Sequence, residues 1–422
     1  MHSPGTMSKT MGPWNISDGG PRLGSTKLVT AIIRGALILA AISALLLIAA
    51  SPAQAQTETV LHNFEGSPDG SYPTTSNLTF DGAGNLYGTT EYGGLGYGTV
   101  FELSPNGSGS WNETVLHSFT GGADGANPMN ANVILDSVGN LYGTTAFGGA
   151  NGSGIVYELS RAGTNWTETV LYSFAGGADG VSPTTGVIMD PAGNLYGSTF
   201  FGVFELTPSA GGWTEQVLFN GFTGTYNAGL TMDAAGNLFG STQNTVFELS
   251  PNGNGGWNWK VIHSFSVGKD GSAPQGSLVL DHSGNLYGTT AIGGGKNYGT
   301  VYELSPGVKG KWKEKILYHF QSEKQGLYPE AGIVFDPAGN IYGTTVGGGA
   351  FNAGTIFELV APIGTIKYYK HKVLWSFDIT QGDEPYGGLL VDSALDLYGT
   401  ASGGGSGSGC NVGCGVVFKL TP

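Results

Sequence analysis

The chain has 422 residues, with 31 acidic side chains against 17 basic ones, a formal net charge of −14 and 75 glycines. So acidic a surface disfavours nucleic acid and anionic lipid, whose phosphates need concentrated Lys and Arg, while 40% hydrophobic residues exclude a disordered polymer. Glycine at more than twice the roughly 7% average reads as punctuation between short strands.

Lys27 and Arg34 lead into an uncharged apolar run, residues 35–50, followed by the small-x-small site Ala53-Gln54-Ala55. That order is the pattern of an export signal, and the run is short for the ~20 residues of a spanning helix. Residues 1–55 are therefore expected to be a signal peptide and 56–422 one exported domain, periplasmic, extracellular or at the cell surface, with no membrane span after removal of the signal.

One phrase then recurs seven times: Asp, two variable residues, Gly-Asn, an apolar residue, an aromatic, Gly. It begins at Asp81, Asp136, Asp190, Asp233, Asp281, Asp336 and Asp392. Copies spaced about 43 to 56 residues apart fall in the range of solenoids and propellers. In the second copy, residues 131–135 and 140–145 alternate across a tight turn, 155–160 (IVYELS) follows a Gly-rich loop, and 166–174 (WTETVLYSF) follows another turn. Four short period-two segments separated by turn residues make one antiparallel blade.

The fourth strand ends at Phe119, Phe174, Phe222, Phe265, Phe320 and Phe377, and a seventh copy, residues 58–64, stands ahead of the first complete repeat. The last repeat stops after its third strand, residues 416–420. The surplus strand and the missing strand are complementary. The expected fold is all-β: a seven-bladed β-propeller of four-stranded antiparallel blades, closed by the N-terminal strand pairing with the C-terminal blade, which removes the exposed edges.

Most recurring residues read as structure. Each repeated Asp opens a hairpin turn where its side chain can accept backbone hydrogen bonds; calcium is weighed for these seven carboxylates and not favoured, because seven equivalent turns need seven copies whereas chemistry needs one site. The seventh turn, which has Leu395 and Asp396 where the others have Gly-Asn, is expected to differ. The aromatic residues Tyr87, Tyr142, Tyr196, Phe239, Tyr287, Tyr342 and Tyr398 are expected to pack between blades. Glu102, Glu158, Glu205, Glu248, Glu303 and Glu358, with Lys419 in the seventh copy, are read as paired or exposed strand residues, and His62, His117 and His263 as occupants of a slot that elsewhere holds Tyr, Phe or Trp. No metal or cofactor site is assigned. Cys410 and Cys414, in an exported chain, are expected to form a disulfide.

Candidate ligand contacts lie in two loop sets that project from one face. Asp-Gly-x-x-Pro segments precede the first strand of several copies, at Asp69, Asp124, Asp179 and Asp270, and Gly-Gly loops join second to third strands. Glycine lets a ligand approach the backbone, and Tyr92, Tyr97, Phe147, Tyr298 and Phe351 offer flat contacts. The third and fourth copies lack the long loop, which leaves a low wall on that side. No nucleophile elbow or HExxH motif is present.

The block GNLYGTTEYGGLGYGTVFELSPNGSGSWNETVLHSF, residues 84–119, resembles the GloVer tandem repeat of secreted bacterial "choice-of-anchor" proteins, and the likeness extends over 57–422. It implies a secreted or surface repeat protein, propeller-like, without an established activity. The Asp-x-x-Gly-Asn-Leu-Tyr turn is also similar to turns of sensor and NHL-type propellers. The function expected is a monomeric binding or interaction module for a glycan or protein ligand. An extracellular propeller enzyme, a hydrolase, lyase or lactonase acting on carbohydrate, is the alternative, and a purely structural extracellular protein a third.

Overall fold

A computed structural model describes residues 56–422 except 74–76, 164, 184, 223–228 and 267. The export signal expected in 1–55 lies outside the described residues. Within 56–422, seven four-stranded antiparallel sheets form the blades of a β-propeller. Six blades step outward in chain order from a two-residue inner strand, as in Thr79–Phe80, Leu86–Thr90, Thr99–Pro105 and Trp111–Ser118 of the first, and the seventh takes its outer strand from the N-terminal segment. No described helix is long and apolar enough to cross a membrane.

The inner strands are shorter than the sequence suggests. In the second blade only Ile134–Leu135 pairs as a strand. The backbone just before it is engaged by the preceding blade instead: Thr89 Oγ1 donates to the Ala131 carbonyl at 2.9 Å and Thr79 Oγ1 to that of Val133 at 2.5 Å. These hydroxyls tie the segment that enters the second blade to the first.

The blades bury their faces against one another, so the core is divided into clusters along the seams. Tyr87, Val100 and Phe119 of the first blade meet Val133, Leu141, Ile155, Tyr157 and Leu159 of the second. The tryptophan that opens an outer strand crosses back to the motif aromatic of the blade before it: Trp111 on Tyr398, Trp166 on Tyr87, Trp257 on Tyr196 and Trp312 on Phe239, with ring centroids 5.9 to 6.4 Å apart. The motif's last glycine serves a ring as well. Gly88 faces Phe101 across the sheet, and a Cβ there would lie 2.6 Å from the Phe101 ring, so the position must lack a side chain.

The Asp turn is fully satisfied. Asp81 Oδ1 accepts the backbone N–H groups of Ala83 (2.8 Å) and Asn85 (2.9 Å), and Oδ2 accepts from Asn85 Nδ2 (2.8 Å) and the Tyr87 hydroxyl (3.2 Å). Burial acts to raise this carboxyl's pKa, but the bonds from Asn85, Ala83 and Tyr87 outweigh it and hold it below the usual range. The same set recurs around Asp136 and Asp281.

Contrary to expectation, the seventh turn has the same shape as the rest. Asp392 Oδ1 accepts from Ala394 and Asp396, and its Oδ2 from Tyr398. Leu395 adopts φ 68° where Gly84 has φ 86°. Asp396, standing for Asn, is neutralised by Lys419 at 2.5 Å, and Lys419 stands where the other blades carry Glu. One charge exchange compensates the other.

Closure follows the sequence reading. Thr57–Asn63 pairs antiparallel with Val416–Thr421, from Thr57 opposite Thr421 to Asn63 opposite Val416, with a bulge between Val60 and His62. The connection 402–415 then wraps the incoming chain: Phe64 N–H donates to Gly415 O, Ser406 N–H to Asn63 Oδ1 and Ser408 N–H to Glu65 Oε2. Cys410 and Cys414 are bonded, and a Cβ on Gly66 would lie 3.6 Å from Cys414 Sγ, so the disulfide sits against the N-terminal segment at the joint. Around the axis, Gly388 N–H donates to Asn77 Oδ1 at 2.9 Å, joining last blade to first.

A left-handed conformation costs a non-glycine residue about 1–2 kcal/mol. Leu395→Gly is expected to recover part of this, offset by the greater freedom of glycine in the unfolded chain, for a net gain of about 0.5–1 kcal/mol. Thermal melting should rise by a degree or more; an unchanged or lower midpoint would show that Leu395 is not strained.

Candidate loop-face binding site

Two connections per blade share one face, and the structure knits them together. Isolated bridges join the pre-blade loop to the loop between second and third strands, as Ser71 with Tyr92, Ala126 with Phe147, Ser272 with Ile292 and Leu327 with Gly347. The residue before each loop proline, at Tyr72, Asn127, Ser182, Ala273, Tyr328 and Glu384, has φ between 47° and 59°. Proline ordinarily biases its predecessor to extended backbone, so this conformation is held by other contacts. Tyr72 donates its N–H to Cys414 O, Asn127 to Tyr97 O, Ser182 to Ser153 O and Tyr328 to Tyr298 O, each reaching the loop of the preceding blade.

The four aspartates expected to face a ligand have structural partners. Asp69 accepts from Glu65 N–H at 3.0 Å and lies 3.0 Å from His62 Nε2; Asp124 accepts from Thr120 N–H (2.8 Å), Asp179 from Ala175 N–H (2.7 Å) and Asp270 from Ser266 N–H (3.1 Å). Gln325 replaces Asp in the sixth copy, and its Oε1 takes the Gln321 N–H at 2.9 Å. These side chains cap the turn that leaves the outer strand.

The rings divide differently. Tyr92 and Tyr97 are each 45% exposed, Phe147 47% and Phe351 65%, whereas Tyr298 packs against the seam cluster of the fifth and sixth blades. The sequence reading missed Tyr72, Phe201 and Tyr328, which join the exposed set; their positions, before a loop proline or in a shortened loop, were the available signal. Tyr72 and Tyr92 meet edge to face at 5.8 Å. Among the described residues, seven of the eight exposed aromatic rings lie on this face, and Tyr368 is the other. The low wall is present: residues 199–201 and 242–244 alone join second to third strands in the third and fourth blades, against 91–98 in the first.

Nearer the axis a group that does not repeat lies on the segments entering the sixth and seventh inner strands. Burial first, then the charge of Glu384, pushes Glu330 up to about 7. Burial also raises Glu384, with Asp383 adding to it, and burial together with Glu384, Glu330 and Asp383 pushes Tyr386 up to about 12. Carboxyls raised toward neutrality by burial suit proton transfer. None of the described histidines lies here: His62, His117, His263, His319 and His371 are on outer strands, and His282 is in the turn on the opposite face.

A model of the Gloeobacter/Verrucomicrobia repeat matches residues 47–244 and again 241–422. The chain belongs to that repeat family. Solved structures of similar fold include virginiamycin B lyase from Staphylococcus aureus, with a TM-score of 0.56 at 14% identity over 87% of this chain and 99% of that one. A streptogramin B lyase gives 0.54 at 16% identity over 87% and 97%. The extracellular domain of a hybrid two-component system from B. thetaiotaomicron gives 0.51 at 15% identity, over 87% of this chain and 41% of that one. At such identities the likeness carries the fold alone. No curated protein matches this repeat-family chain in sequence.

Sequence reading also passed over the glutamates of the outer strands in this repeat-family propeller. Burial first, then nearby carboxylates, raises Glu58, Glu113, Glu168, Glu215 and Glu314 to about 7; His62 opposes the rise at Glu113. A carboxyl whose pKa is higher folded than unfolded favours the folded state below about pH 4.5 and loses that contribution as pH rises through 7. Combining Glu113→Gln, Glu168→Gln and Glu215→Gln should therefore raise melting at pH 8 relative to wild type and have little effect at pH 4.5. Equal effects at both pH values would rule out burial of these carboxyls as the cause.

Proposed function

We propose that the protein is an exported binding module that engages a glycan through the loop face, monomeric and without a required cofactor. The observation that carries this is the segregation of exposed rings: tyrosines and phenylalanines are buried along every seam, yet Tyr72, Tyr92, Tyr97, Phe147 and Phe351 stand open beside backbone glycines on one face. Flat rings stack on the apolar faces of sugars, and glycine admits close approach of the backbone. Asp69, Asp124, Asp179 and Asp270 would shape these loops from beneath, and Tyr298 would support them, with ligand entry over the low wall. Export is supported by the Cys410–Cys414 disulfide, a bond that persists in oxidising compartments, and by the likeness to the extracellular domain of a two-component system. A protein ligand would use the same rings.

Glu330 with Glu384 and Tyr386 favours a second reading, a carbohydrate-directed enzyme whose acid and base lie at the channel mouth.

A glycan array probed with the wild-type protein and with Tyr92→Ala, Phe147→Ala and Phe351→Ala variants separates the readings. Binding of a defined glycan class, weakened tenfold or more by each substitution at unchanged melting temperature, is expected. Wild-type binding by all three variants would remove the loop face as the site. Release of product from a bound glycan, lost in Glu330→Gln, would establish the enzyme instead.

A further inference from the structure

At the seam of the fourth and fifth blades, three potential ligands converge from two outer strands and the loop between the blades. His263 lies on the outer strand Trp257–Ser264, Asp270 in the loop that follows, and Glu314 on the next outer strand, Trp312–His319. Their ligating atoms all lie within 4.8 Å of one another, and they are the one such group of three among the described residues. His263 Nε2 and Glu314 Oε1 are 3.5 Å apart. Both atoms are shielded from solvent, and neither has a hydrogen-bond partner.

Left as they stand, these atoms are costly, because a buried polar atom without a partner loses its hydration and gains nothing. An ion pair is a poor remedy, since burial lowers the imidazole's proton affinity and raises that of the carboxyl. Two sister seams give the ring position a partner: His62 Nε2 is taken by Asp69 at 3.0 Å, and Tyr172, standing where His263 does, donates its hydroxyl to Asp179 at 3.2 Å. His117 Nε2, 3.6 Å from Asp124, and the Oε1 atoms of Glu58, Glu113, Glu168 and Glu215 lack a hydrogen bond as their counterparts here do. What sets this seam apart is that three ligand types converge in it. Asp270 is held by Ser266 through its N–H and hydroxyl, which orients the carboxylate and leaves lone pairs for a further partner.

We propose that His263, Asp270 and Glu314 bind a divalent transition-metal cation of the zinc class. Tetrahedral donors about 2.1 Å from such an ion are about 3.4 Å apart, close to the His263–Glu314 separation. One imidazole and two carboxylates suit zinc or cobalt better than calcium or magnesium, which favour all-oxygen shells with more ligands. Two carboxylates balance the ion's charge. His263 also packs edge-on against Phe265 at 4.5 Å, so its ring keeps a role in packing and its Nε2 acquires a second one. The ion would bind outer strand to outer strand across a seam, at the base of the loop that carries Asp270.

The test uses tag-free protein treated with a chelator and then titrated with zinc, with cobalt as the spectroscopic probe. Wild type should take up one equivalent of zinc, melt at a higher temperature with it, and give the visible absorption of low-coordinate cobalt. His263→Phe, which places in the slot the ring that Phe219 supplies in the third blade, should fold and lose uptake at least tenfold; Glu314→Gln should do the same, and is the arm relied upon if the Phe variant fails to fold. His117→Phe should bind as wild type does. Absence of zinc uptake by wild type, full uptake by the folded His263 or Glu314 variant, or loss confined to His117→Phe would each overturn the assignment.

Discussion

Every blade of this molecule buries both faces against neighbours, so a row of blades with free ends would expose an apolar face and an unpaired strand at each. Pairing of Thr57–Asn63 with Val416–Thr421 removes both exposures at once. The joint is reinforced at three radii. Near the axis Gly388 meets Asn77; in the body of the sheet six residue pairs align; at the loop face residues 406–415 enclose Phe64 and Glu65. Phe64 is fully buried in the cluster that joins the last blade to the first, beside Cys414 and Val417. A disulfide spanning four residues in sequence would be a minor restraint anywhere else. Here it stiffens the loop that holds chain start to chain end.

The architecture was legible because it is written seven times. Strand count and the complementary ends survive local variation, and Val60 of the closing strand packs into the seam of the sixth and seventh blades. What escaped were properties set by partners in another blade. The segment before the second blade's inner strand is held from the first blade, where Thr79 and Thr89 donate to the carbonyls of Val133 and Ala131. The outer-strand glutamates looked like ordinary alternating polar positions, yet they are partly buried and each feels the aspartate of the loop that leaves the preceding outer strand. Asp69, Asp124, Asp179 and Asp270 looked available in an exposed loop, although the turn that contains them already uses their oxygens. Asp-Gly-x-x-Pro in a loop has this ambiguity: the residue types that bind ligands also cap turns.

The seventh blade shows which features of the repeat are constraints and which are habits. Glycine before the asparagine is a habit, since Leu395 reaches the same positive φ when the rest of the turn is intact. The aspartate at the head of the turn is a constraint, because four donors depend on it. Asparagine sits between the two: Asp396 replaces it where Lys419 arrives on the facing strand, as a second carboxylate beside Asp392 would otherwise face like charge in a half-buried turn. The substitution and its remedy lie on neighbouring strands, so one blade records a compensated change that the other six have no need of.

The two ends of the wheel are consequently under different physical rules. On the turn face, each Asp satisfies its turn, and in the first, third and seventh blades it also holds the tyrosine that the next blade's tryptophan meets, so a change there is felt at a seam. On the loop face, the framework is backbone to backbone: bridges such as Ser71 with Tyr92, and inter-blade bonds from residues held at positive φ. Main-chain bonds do not depend on side-chain identity. That frees the side chains they carry, which is why a tyrosine, an asparagine, a serine, an alanine and a glutamate occupy equivalent positions before the loop prolines. A strained, backbone-defined rim bearing varied side chains is a scaffold suited to recognition, and it is on this rim that the exposed rings and the unrepeated Glu330, Glu384 and Tyr386 are found.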